Sequence, residues 1–458
     1  MPAAVVAVRP FRKERRLEDR RGVFMLPMDT RSPERFFQAM KAGRVGACVA
    51  EGGGVRWARM NGDGKQNRLR LELFPRAETA VRSGHPWVYA DSVKSQNRDG
   101  ETGELAVMYD RKDRFLAIGL YEAESPIRVR ILHCGKPTSI NREWWLEKAR
   151  ACLALRAGNV LNEATDGARL INGESEGFPG LVADIYAGTL VVKIYAASWL
   201  ARWEEIEDVF REAFRPQHLI LRLSRNITAY AADMGFKEGF CGEVGEETVV
   251  FSENGIRFEA AVLKGQKTGF FLDQRDNRSR VEYLAAGRDV LNVFSFTGGF
   301  SLYAARGGAR SVTDLDISRH ALDSAARNFS LNPSLAAVER HAVQADAFRW
   351  LEETGEKYDL IITDPPSLAK RESEREGAAR AYARLNLAAL QRLRLGGILV
   401  AASCSAHVSA EEFHGAVEES LRENGRPSRE LWRQGHAPDH PARFREAEYL
   451  KAVCVEVP

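Results

Sequence analysis

From about residue 289 onward, the chain alternates short apolar runs with stretches that carry apolar residues at helical spacing. The runs that fit buried strands are "DVLNVFSF", "SVTDLD", "VQADAF", "YDLIITD" and "GGILVAAS". Helical spacing appears in "FSLYAARGG", in "HALDSAARNFSLN" and across residues 378–394. Strands joined by helices in this way form a parallel sheet, because the crossovers place helices over its faces. The alternation predicts a Rossmann-like α/β domain over residues 250–458, with helices on both faces of a mostly parallel sheet.

Strand patterns dominate the sequence before this domain. Residues 67–128 hold the alternating run "RLRLELFP" and apolar runs broken by "DRKDR" and "EAESP", which predicts a small all-β domain. Residues 129–249 combine helical patterns with a strand pair that turns at Ala187-Gly188, which predicts an α+β middle domain. Asn141 is the predicted N-cap of the first helix in that domain.

The first 66 residues form a basic leader. They carry 14 Lys and Arg against 7 Asp and Glu, although the whole chain has a net charge of only +3. A basic arm suits a nucleic-acid partner, since phosphate contacts supply affinity that does not depend on sequence. The alternative is a solvated, disordered leader, because "EGGG" and "NGDGKQN" offer little to bury.

Cysteine spacing and hydropathy indicate the compartment. The six cysteines form no C-x-x-C pair, so disulfide frameworks and metal sites are not expected. No apolar run approaches the roughly 18 to 20 residues that a membrane span needs. The N-terminus lacks the apolar stretch of a signal peptide. The prediction is a cytoplasmic protein that binds no metal and no membrane.

Polar residues and glycines follow three successive predicted strands. Asn292 ends the first strand and is followed by Gly298-Gly299, Asp316 ends the second, and Asp346 lies in the third. In an open α/β sheet these positions meet at one crevice, where an acidic residue can bind a ribose diol. The G-x-G-x-x-G fingerprint of dinucleotide enzymes is absent. The pattern favours a nucleoside cofactor, while a tight turn and a helix cap remain the alternatives for the glycines and for Asp316.

The fourth strand ends in "IITDPPS", residues 361–367. Two consecutive prolines fix φ and lack an N–H, so the exit from this strand is stiff. A rigid strand exit is the purely structural interpretation. The functional interpretation is that the turn holds Asp364 at the mouth of the crevice.

The motifs "NVFSFTGGF", "DIS", "ADAF" and "TDPPS" occur in the order found in class I S-adenosylmethionine-dependent methyltransferases, which this chain resembles. The resemblance implies that Asp316 holds the ribose and that Asp346 lies near the adenine, while Asn292 replaces an acid common in the family. The implied S-adenosylmethionine contacts are Gln274, Asn292, Phe294, Ser295, Gly298, Gly299, Asp316, Ile317, Asp346, Ala347, Asp364 and Pro365.

A narrower resemblance covers residues 67–458. "KGQKTGFFLDQRDNR" is similar to a signature of the bacterial 23S ribosomal RNA cytosine-5 methyltransferases that carry an N-terminal PUA domain. "SGHPWVY" and "ESPIRVR" resemble the PUA part of that family, "INGESEGFPGLVADIY" its middle domain and "DHPARFREAEYLKA" its C-terminal end. Ser367 and Leu368 depart from the Lys-Phe often found after the two prolines, which affects the expected substrate contacts.

Methylation of cytosine C5 requires a nucleophile, because this ring carbon is unactivated. A thiolate that adds to C6 makes C5 electron-rich, so a cysteine is needed at the crevice. Cys404 ends the strand after "TDPPS" and is the predicted nucleophile, with Asp364 as the assisting acid. Without the surrounding motifs Cys404 would be a packing residue, as strand-end cysteines usually are. His407 is a weaker candidate for the partner of the thiol, and His436 and His440 are expected to be structural.

The resemblance implies large-subunit ribosomal RNA as the partner, and the target base must be unpaired or flipped out. The candidate RNA contacts are His85, Trp87, Lys264, Lys267 and Arg275. A role in the core of the small domain is an equal alternative for His85 and Trp87. The pattern leaves a homodimer open.

Two other functions remain open from the sequence. One is a purine N-methyltransferase built on the same scaffold, which would need no thiol. The other is an RNA-binding ribosome assembly factor without catalytic activity.

Overall fold

The computed structural model describes residues 48–51, 54–57 and 68–458. The first two ranges are strands β1 (Cys48–Glu51) and β2 (Gly54–Trp57), which form an antiparallel pair. Apart from this pair, the predicted basic leader lies outside the described residues.

The first domain after the leader is built on a six-stranded sheet. Its strands are β3 (Leu69–Leu73), β4 (Trp87–Tyr89), β5 (Val93–Gln96), β6 (Leu105–Tyr109), β7 (Phe115–Tyr121) and β8 (Ile127–Cys134), in the order β4-β8-β7-β6-β3-β5. A helix, Pro75–Arg82, adds to the predicted strands. Strand β8 crosses the predicted boundary at residue 128, so the sheet continues to Cys134.

The middle domain is α+β, with a five-stranded sheet. Its strands are β9 (Gly167–Asn172), β10 (Leu181–Tyr186), β11 (Thr189–Ile194), β12 (His218–Leu223) and β13 (Gly239–Phe240), and its helices are Arg142–Arg156, Trp203–Phe214 and Thr228–Asp233. Asn141 caps the first helix as predicted, because its side chain accepts a hydrogen bond from the Trp144 N–H at 3.0 Å. The β10–β11 hairpin turns at Ala187-Gly188, as the sequence indicated.

A hairpin and a helix precede the last domain. Strands β14 (Val249–Glu253) and β15 (Ile256–Ala260) form the hairpin, and the helix Arg275–Leu284 follows it. Phe251 and Phe258 share one core with Tyr186 and Val191 of the middle-domain sheet and with Val290 of the last domain. This apolar core joins the middle and last domains.

The last domain is a seven-stranded sheet covered by helices. Its strands are β16 (Asp289–Val293), β17 (Ser311–Asp316), β18 (Glu339–Gln344), β19 (Tyr358–Thr363), β20 (Leu393–Ser403), β21 (Arg429–Gln434) and β22 (Lys451–Val457). Its helices are Gly299–Arg306, Arg319–Ser330, Ala347–Glu353, Arg375–Gln391 and Ala410–Asn424. The order is β18-β17-β16-β19-β20-β22-β21, and all strands are parallel except β22, which runs antiparallel to both of its neighbours. The predicted α/β class and the helical cover are confirmed.

Two strands end several residues before their predicted ends. Strand β16 ends at Val293, and the following Phe294 and Phe296 have positive φ of 61° and 47°, a conformation that bulky side chains seldom adopt. Strand β18 ends at Gln344, so "ADAF" is not strand; Asp346 instead begins the helix Ala347–Glu353. Both differences put turn residues, rather than extended chain, at the edge of the sheet.

The segment that leads into β22 packs against the middle domain through Asp439. This buried carboxylate accepts hydrogen bonds from the Arg275 guanidinium at 2.7 and 3.1 Å and from the Arg169 backbone N–H at 3.0 Å. The backbone carbonyl of Asp439 accepts a hydrogen bond from the Arg156 guanidinium at 2.9 Å. One acidic residue therefore ties together parts of the chain that are distant in sequence.

No helix in the described ranges is long and apolar enough to cross a membrane.

Candidate active site

The ends of two neighbouring strands bring Cys404 and Asp364 together. Strands β19 and β20 are parallel, with Thr363 opposite Ala401, so both chains leave the sheet at its carboxyl edge. Asp364 follows β19 directly and Cys404 follows β20. The Cys404 thiol contacts the carbonyl oxygen of Pro365 at 3.7 Å. The predicted proximity of the two strand ends is present in the structure.

The environment of Cys404 favours a neutral thiol at rest. Burial and, to a lesser extent, the Asp364 carboxylate raise the pKa of Cys404 to about 11, although the Lys267 ammonium opposes both. Since a thiolate is the nucleophilic form, the site as described holds a thiol that needs nearby positive charge to ionise.

Asp364 is a carboxyl that holds its proton near neutral pH. Burial, with a smaller contribution from the neighbouring Asp273 carboxylate, raises its pKa to about 7, although Lys267 and a hydrogen bond with Gln274 oppose this shift. A carboxyl of this pKa can donate a proton at physiological pH and take it back. This is the property expected of an acid that assists addition to a pyrimidine.

A cluster of Lys267 and Tyr449 around the buried Asp273 lies beside Cys404 and Asp364. Asp273 Oδ2 accepts hydrogen bonds from Lys267 Nζ at 2.5 Å and from the Tyr449 hydroxyl at 2.8 Å. Lys267 Nζ also lies 4.4 Å from the centre of the Phe271 ring. Within the described residues, the other oxygen of Asp273, Oδ1, has no hydrogen-bond partner although it is buried. The cluster holds the Lys267 ammonium where its charge acts on both Asp364 and Cys404.

Lys451 is a second cation near the thiol. It lies opposite Ser403 in the β20–β22 pairing, and only 5% of it is exposed. Its ammonium donates to the carbonyls of Ser405 at 2.6 Å and Tyr449 at 3.2 Å. Burial lowers the pKa of Lys451 to about 8, and the charge of Cys404 opposes this shift. Lys451 is thus a buried amine whose charge responds to the state of the thiol.

Buried polar groups follow β16, where a nucleoside was predicted. Asn292 donates from Nδ2 to the Ser301 hydroxyl at 3.0 Å, and Ser301 donates to the Asp314 carboxylate at 2.5 Å. Burial raises the pKa of Asp314 to about 6. Asn292 Oδ1 and Ser295 Oγ are buried and lack a partner within the described residues. This end of the strand therefore has unused hydrogen-bonding capacity.

Asp316 lies at the end of β17 beside the strained turn. Its carboxylate accepts hydrogen bonds from the backbone N–H of Phe296 at 3.0 Å and of Ser318 at 2.8 Å. The adjacent Ile317 is 68% exposed, which is unusual for an isoleucine at a sheet edge. Phe294 lies 6.3 Å, centre to centre, from the Phe348 ring. A fixed carboxylate next to open apolar surface matches what a nucleoside requires.

The two glycines have packing reasons of their own. Gly298 has φ of +77°, and a Cβ there would lie 2.9 Å from Ala325 Cβ. A Cβ on Gly299 would lie 3.0 Å from Arg278 Cδ. The turn and the neighbouring side chains therefore leave little room for a Cβ at either position. This is the structural explanation for the glycines that the sequence left open.

Asp346 caps a helix. It is exposed, and its carboxylate accepts the Arg349 N–H at 3.0 Å, while Ala347 behind it is buried. Gln274 is buried in the short helix before Arg275–Leu284 and accepts a hydrogen bond from Asn277 at 2.6 Å.

The predicted RNA contacts are dispersed in the structure. Lys264 is exposed and pairs with Glu247 at 3.1 Å, and Lys267 belongs to the cluster beside Asp364. The prediction that Arg275 contacts RNA is wrong, because its guanidinium is buried and paired with Asp439 at 2.7 Å and so does not face phosphates. A buried arginine is retained in such a place by its carboxylate partner.

His85 and Trp87 lie where the first domain meets the others. Trp87 Nε1 donates to Glu174 of the middle domain at 2.9 Å, and its ring lies 5.4 Å from the Phe444 ring. His85 Nε2 lies 3.8 Å from Glu446. These contacts give both side chains a role in holding the domains together, and their contact with RNA stays a prediction.

The histidines near the thiol are engaged elsewhere. His407 Nδ1 lies 3.6 Å from Glu372, and the side chain is exposed. His440 pairs with Asp439 at 3.0 Å, and His436 accepts the Leu450 N–H at 3.1 Å. None of these contacts reaches Cys404, so the cations beside the thiol are Lys267 and Lys451.

Sequence reasoning did not assign Asp273, Tyr449 or Lys451. Asp273 lies inside "LDQR", next to the predicted Gln274, and the other two lie inside "EYLKA" near the C-terminus. A carboxylate, a phenol and a lysine in segments already singled out were the available signal. Their meeting depends on β22 running antiparallel beside β20.

Comparison with known families gives two matches. Residues 212–454 match the family of S-adenosylmethionine-dependent methyltransferases, and residues 71–133 match a PUA-like domain. The second match ends one residue before β8 does.

Curated relatives align along almost their whole length. The chain is 58% identical over 400 residues to a ribosomal RNA large subunit methyltransferase of Deinococcus radiodurans, covering 85% of this chain and 98% of that one. It is 35% identical over 399 residues to ribosomal RNA large subunit methyltransferase I of Photobacterium profundum, covering 84% and 99%.

Solved structures share the fold. A SAM-dependent methyltransferase from Streptococcus mutans superposes with a TM-score of 0.71 at 23% identity, covering 85% of this chain and 100% of that one. A methyltransferase complexed with SAH gives a TM-score of 0.73 at 24% identity, with the same coverage.

Proposed function

The chain belongs to the S-adenosylmethionine-dependent methyltransferases, and from this premise we propose that it forms 5-methylcytosine in large-subunit ribosomal RNA. The names of its curated relatives support the ribosomal substrate. The predicted cytoplasmic location agrees with such a substrate. The contact between the Cys404 thiol and the turn that carries Asp364 is the observation that supports carbon chemistry.

The residues at the carboxyl ends of β16 and β17 fit S-adenosylmethionine. Asn292 Oδ1 and Ser295 Oγ are buried atoms that lack partners in the described part of the chain, and the cofactor has polar groups to meet them. The Asp316 carboxylate would accept from the ribose diol, and the exposed Ile317 would offer apolar surface to the adenine. When bound, S-adenosylmethionine supplies an electrophilic methyl group on a sulfonium centre.

Cys404 starts the proposed reaction. The thiol first loses its proton to solvent, and the thiolate then forms a bond from Sγ to C6 of the cytosine. The electron pair of the C5=C6 double bond forms a C4=C5 double bond, and the C4=N3 pair moves onto N3. The carboxyl proton of Asp364 moves to N3, which its pKa of about 7 allows. The C4=C5 enamine then carries high electron density at C5. This carbon would form a bond to the methyl group as the methyl–sulfonium bond breaks, which would leave S-adenosylhomocysteine as a neutral thioether.

The same two residues complete the proposed cycle. Loss of the C5 proton to solvent restores the C5=C6 double bond and breaks the Sγ–C6 bond, which returns Cys404 as a thiolate. The N3 proton returns to Asp364. The Lys267 and Lys451 ammonium groups stabilise the thiolate at the start and the end of the cycle.

A thiol at this place separates carbon from nitrogen methylation. A ring nitrogen or an exocyclic amine attacks with its own lone pair and needs no covalent adduct. The half-buried thiol beside an acid of raised pKa is accordingly the feature that favours cytosine C5 over a purine nitrogen.

Methyl transfer to ribosomal RNA by the wild-type chain and by Cys404→Ala tests the proposal. Bisulfite sequencing of the product reports 5-methylcytosine, and we expect protection of a cytosine by the wild type only. Methylated RNA without bisulfite protection would identify a nitrogen methyltransferase. Undiminished 5-methylcytosine with Cys404→Ala would exclude the covalent mechanism. Absence of methyl transfer together with retained RNA binding would favour an assembly factor.

A further inference from the structure

The middle-domain sheet carries a basic patch formed by Lys193, Tyr195, Arg222 and Arg225. Lys193 and Arg222 lie directly opposite each other in the parallel β11–β12 pairing. Like charges placed opposite on neighbouring strands destabilise a sheet unless another group compensates them. Tyr195 is 38% exposed, and Lys193 Nζ lies 5.5 Å from its ring centre.

Negative charge that would neutralise the patch is scarce. In the described part of the chain, Lys193, Arg222 and Arg225 form no ion pair with a carboxylate within 4.0 Å. Nε of Arg222 is buried and, among the same residues, has no acceptor. Glu238 is close enough to raise the pKa of Lys193, but its carboxylate accepts the Leu223 N–H at 2.6 Å; burial and the two arginines lower that pKa. The net charge of the basic patch is therefore positive.

The patch is joined to the active site by one loop. Lys193 Nζ donates to the Lys267 carbonyl at 3.2 Å, and Arg222 donates to the Gly265 carbonyl at 2.8 Å. The Lys267 side chain reaches Asp273, which influences both Asp364 and Cys404. A polynucleotide that places one base at Cys404 would therefore have neighbouring nucleotides near the patch.

We propose that the basic patch binds the single-stranded RNA next to the target cytosine, with its cations on phosphates and Tyr195 stacked on a base. This inference rests on the proposed RNA substrate. Cationic grooves lined with an aromatic side chain bind single strands in this way, since every base has a stacking face. The uncompensated pair of Lys193 and Arg222 is then stabilised by the phosphates of the substrate.

Binding of a short fluorescein-labelled single-stranded RNA, measured by fluorescence anisotropy over a salt series, tests this site. Each lost phosphate contact should reduce the slope of log affinity against log salt by about 0.7. We expect Lys193→Gln with Arg225→Gln to reduce it by about 1.4. Tyr195→Ala should weaken binding by about fivefold or more, whereas Tyr195→Phe should bind like the wild type. The single variant Arg225→Gln changes a residue that follows strand β12, so it leaves the sheet unchanged. It tests the patch even if the double variant fails to fold.

The matched control is Arg429→Gln, which removes an exposed arginine from strand β21 at the far edge of the last sheet. It should leave the salt slope unchanged, and all variants should keep their affinity for S-adenosylmethionine by calorimetry. Wild-type affinity and slope in the patch variants would overturn the inference, even if the wild type makes 5-methylcytosine. Reduced RNA binding without 5-methylcytosine formation by the wild type would instead support the patch and reject the proposed reaction.

Discussion

The Cys404 thiol lies 3.7 Å from the carbonyl oxygen of Pro365, the residue that follows Asp364. This contact joins two strand ends that are 39 residues apart in sequence. Because the double proline stiffens one side and β22 supports the other, the thiol and the carboxyl keep a fixed relationship. The charges around this pair lead to the following predictions.

Removing the Asp364 charge should make the thiol more reactive while stopping catalysis. At about pH 8 the carboxylate is mostly ionised and raises the pKa of Cys404, so Asp364→Asn should speed alkylation by iodoacetamide. Methyl transfer should fall, since the proton donor is lost. Mass spectrometry of the Cys404 peptide separates this thiol from the exposed Cys134. Slower alkylation of the variant would contradict the electrostatic assignment.

Removing the Lys451 charge should have the opposite effect on the thiol. Lys451→Met takes away a buried ammonium near Cys404, so alkylation should slow and methyl transfer should fall by about tenfold or more. Lys451→Arg keeps the charge and should recover part of both rates. Affinity for S-adenosylmethionine should not change. A Lys451→Met enzyme with normal alkylation would assign Lys451 to structure alone.

Asp364 should also make folding stability depend on pH. Its folded pKa of about 7 lies above the unfolded value near 4, so the unfolded chain loses this proton first as pH rises. Stability from this group is therefore full below about pH 4 and falls progressively to about pH 7, by a few kcal/mol. Asp364→Asn should remove the loss, so urea unfolding should find the variant more stable than the wild type at about pH 8. Equal stability of the two proteins at that pH would show that Asp364 titrates normally.

Replacing Asp316 should mainly lower the affinity for S-adenosylmethionine, whereas replacing Asp346 should mainly lower the stability of the protein. Asp316→Ala should weaken S-adenosylmethionine binding by about 10- to 100-fold, because a charged hydrogen-bond acceptor for the ribose is lost. Asp346→Ala removes the cap of the helix Ala347–Glu353 and should cost about 1 kcal/mol of stability. Its effect on cofactor affinity should be smaller. Calorimetry and urea unfolding of both variants measure the contrast, which equal losses of affinity would contradict.

Asp439→Asn should destabilise the protein by about 3 to 5 kcal/mol. The carboxylate pairs with the buried Arg275 guanidinium and with His440, and an amide leaves that guanidinium without its counter-charge. The Arg275→Met variant alone should be similarly costly, whereas combining the two should cost less than the sum. Urea unfolding of the cycle gives the coupling, and additive losses would show that the pair is not coupled.

The sequence predicted much of the architecture because each signal was local. Alternating apolar runs and helical spacing depend on neighbours in the chain, and they gave the strands Ser311–Asp316 and Tyr358–Thr363 within one residue. The asparagine at position 141 and the turn at Ala187-Gly188 were likewise legible from a few residues.

The burial of a charged side chain could not be predicted from neighbouring residues in the sequence. Arg275 follows Gln274 in a motif of polar residues, and its partner Asp439 lies 164 residues later. Whether an arginine faces phosphates or a buried carboxylate depends on which distant segment packs over it. The same reason explains why the sequence left RNA contact and a structural role as equal alternatives for Trp87, since its contact with Glu174 depends on a distant segment.

By itself, the sequence determined an α/β domain, and it placed Asp364 and Cys404 at the ends of successive parallel strands. It could do so because parallel strands expose their carboxyl ends at one edge whatever the rest of the fold does. Only the tertiary structure decided which charges surround the thiol. Lys267 and Lys451 arrive from a loop before the sheet and from an antiparallel strand at the end of the chain, and the pKa of a buried thiol depends on such neighbours in space.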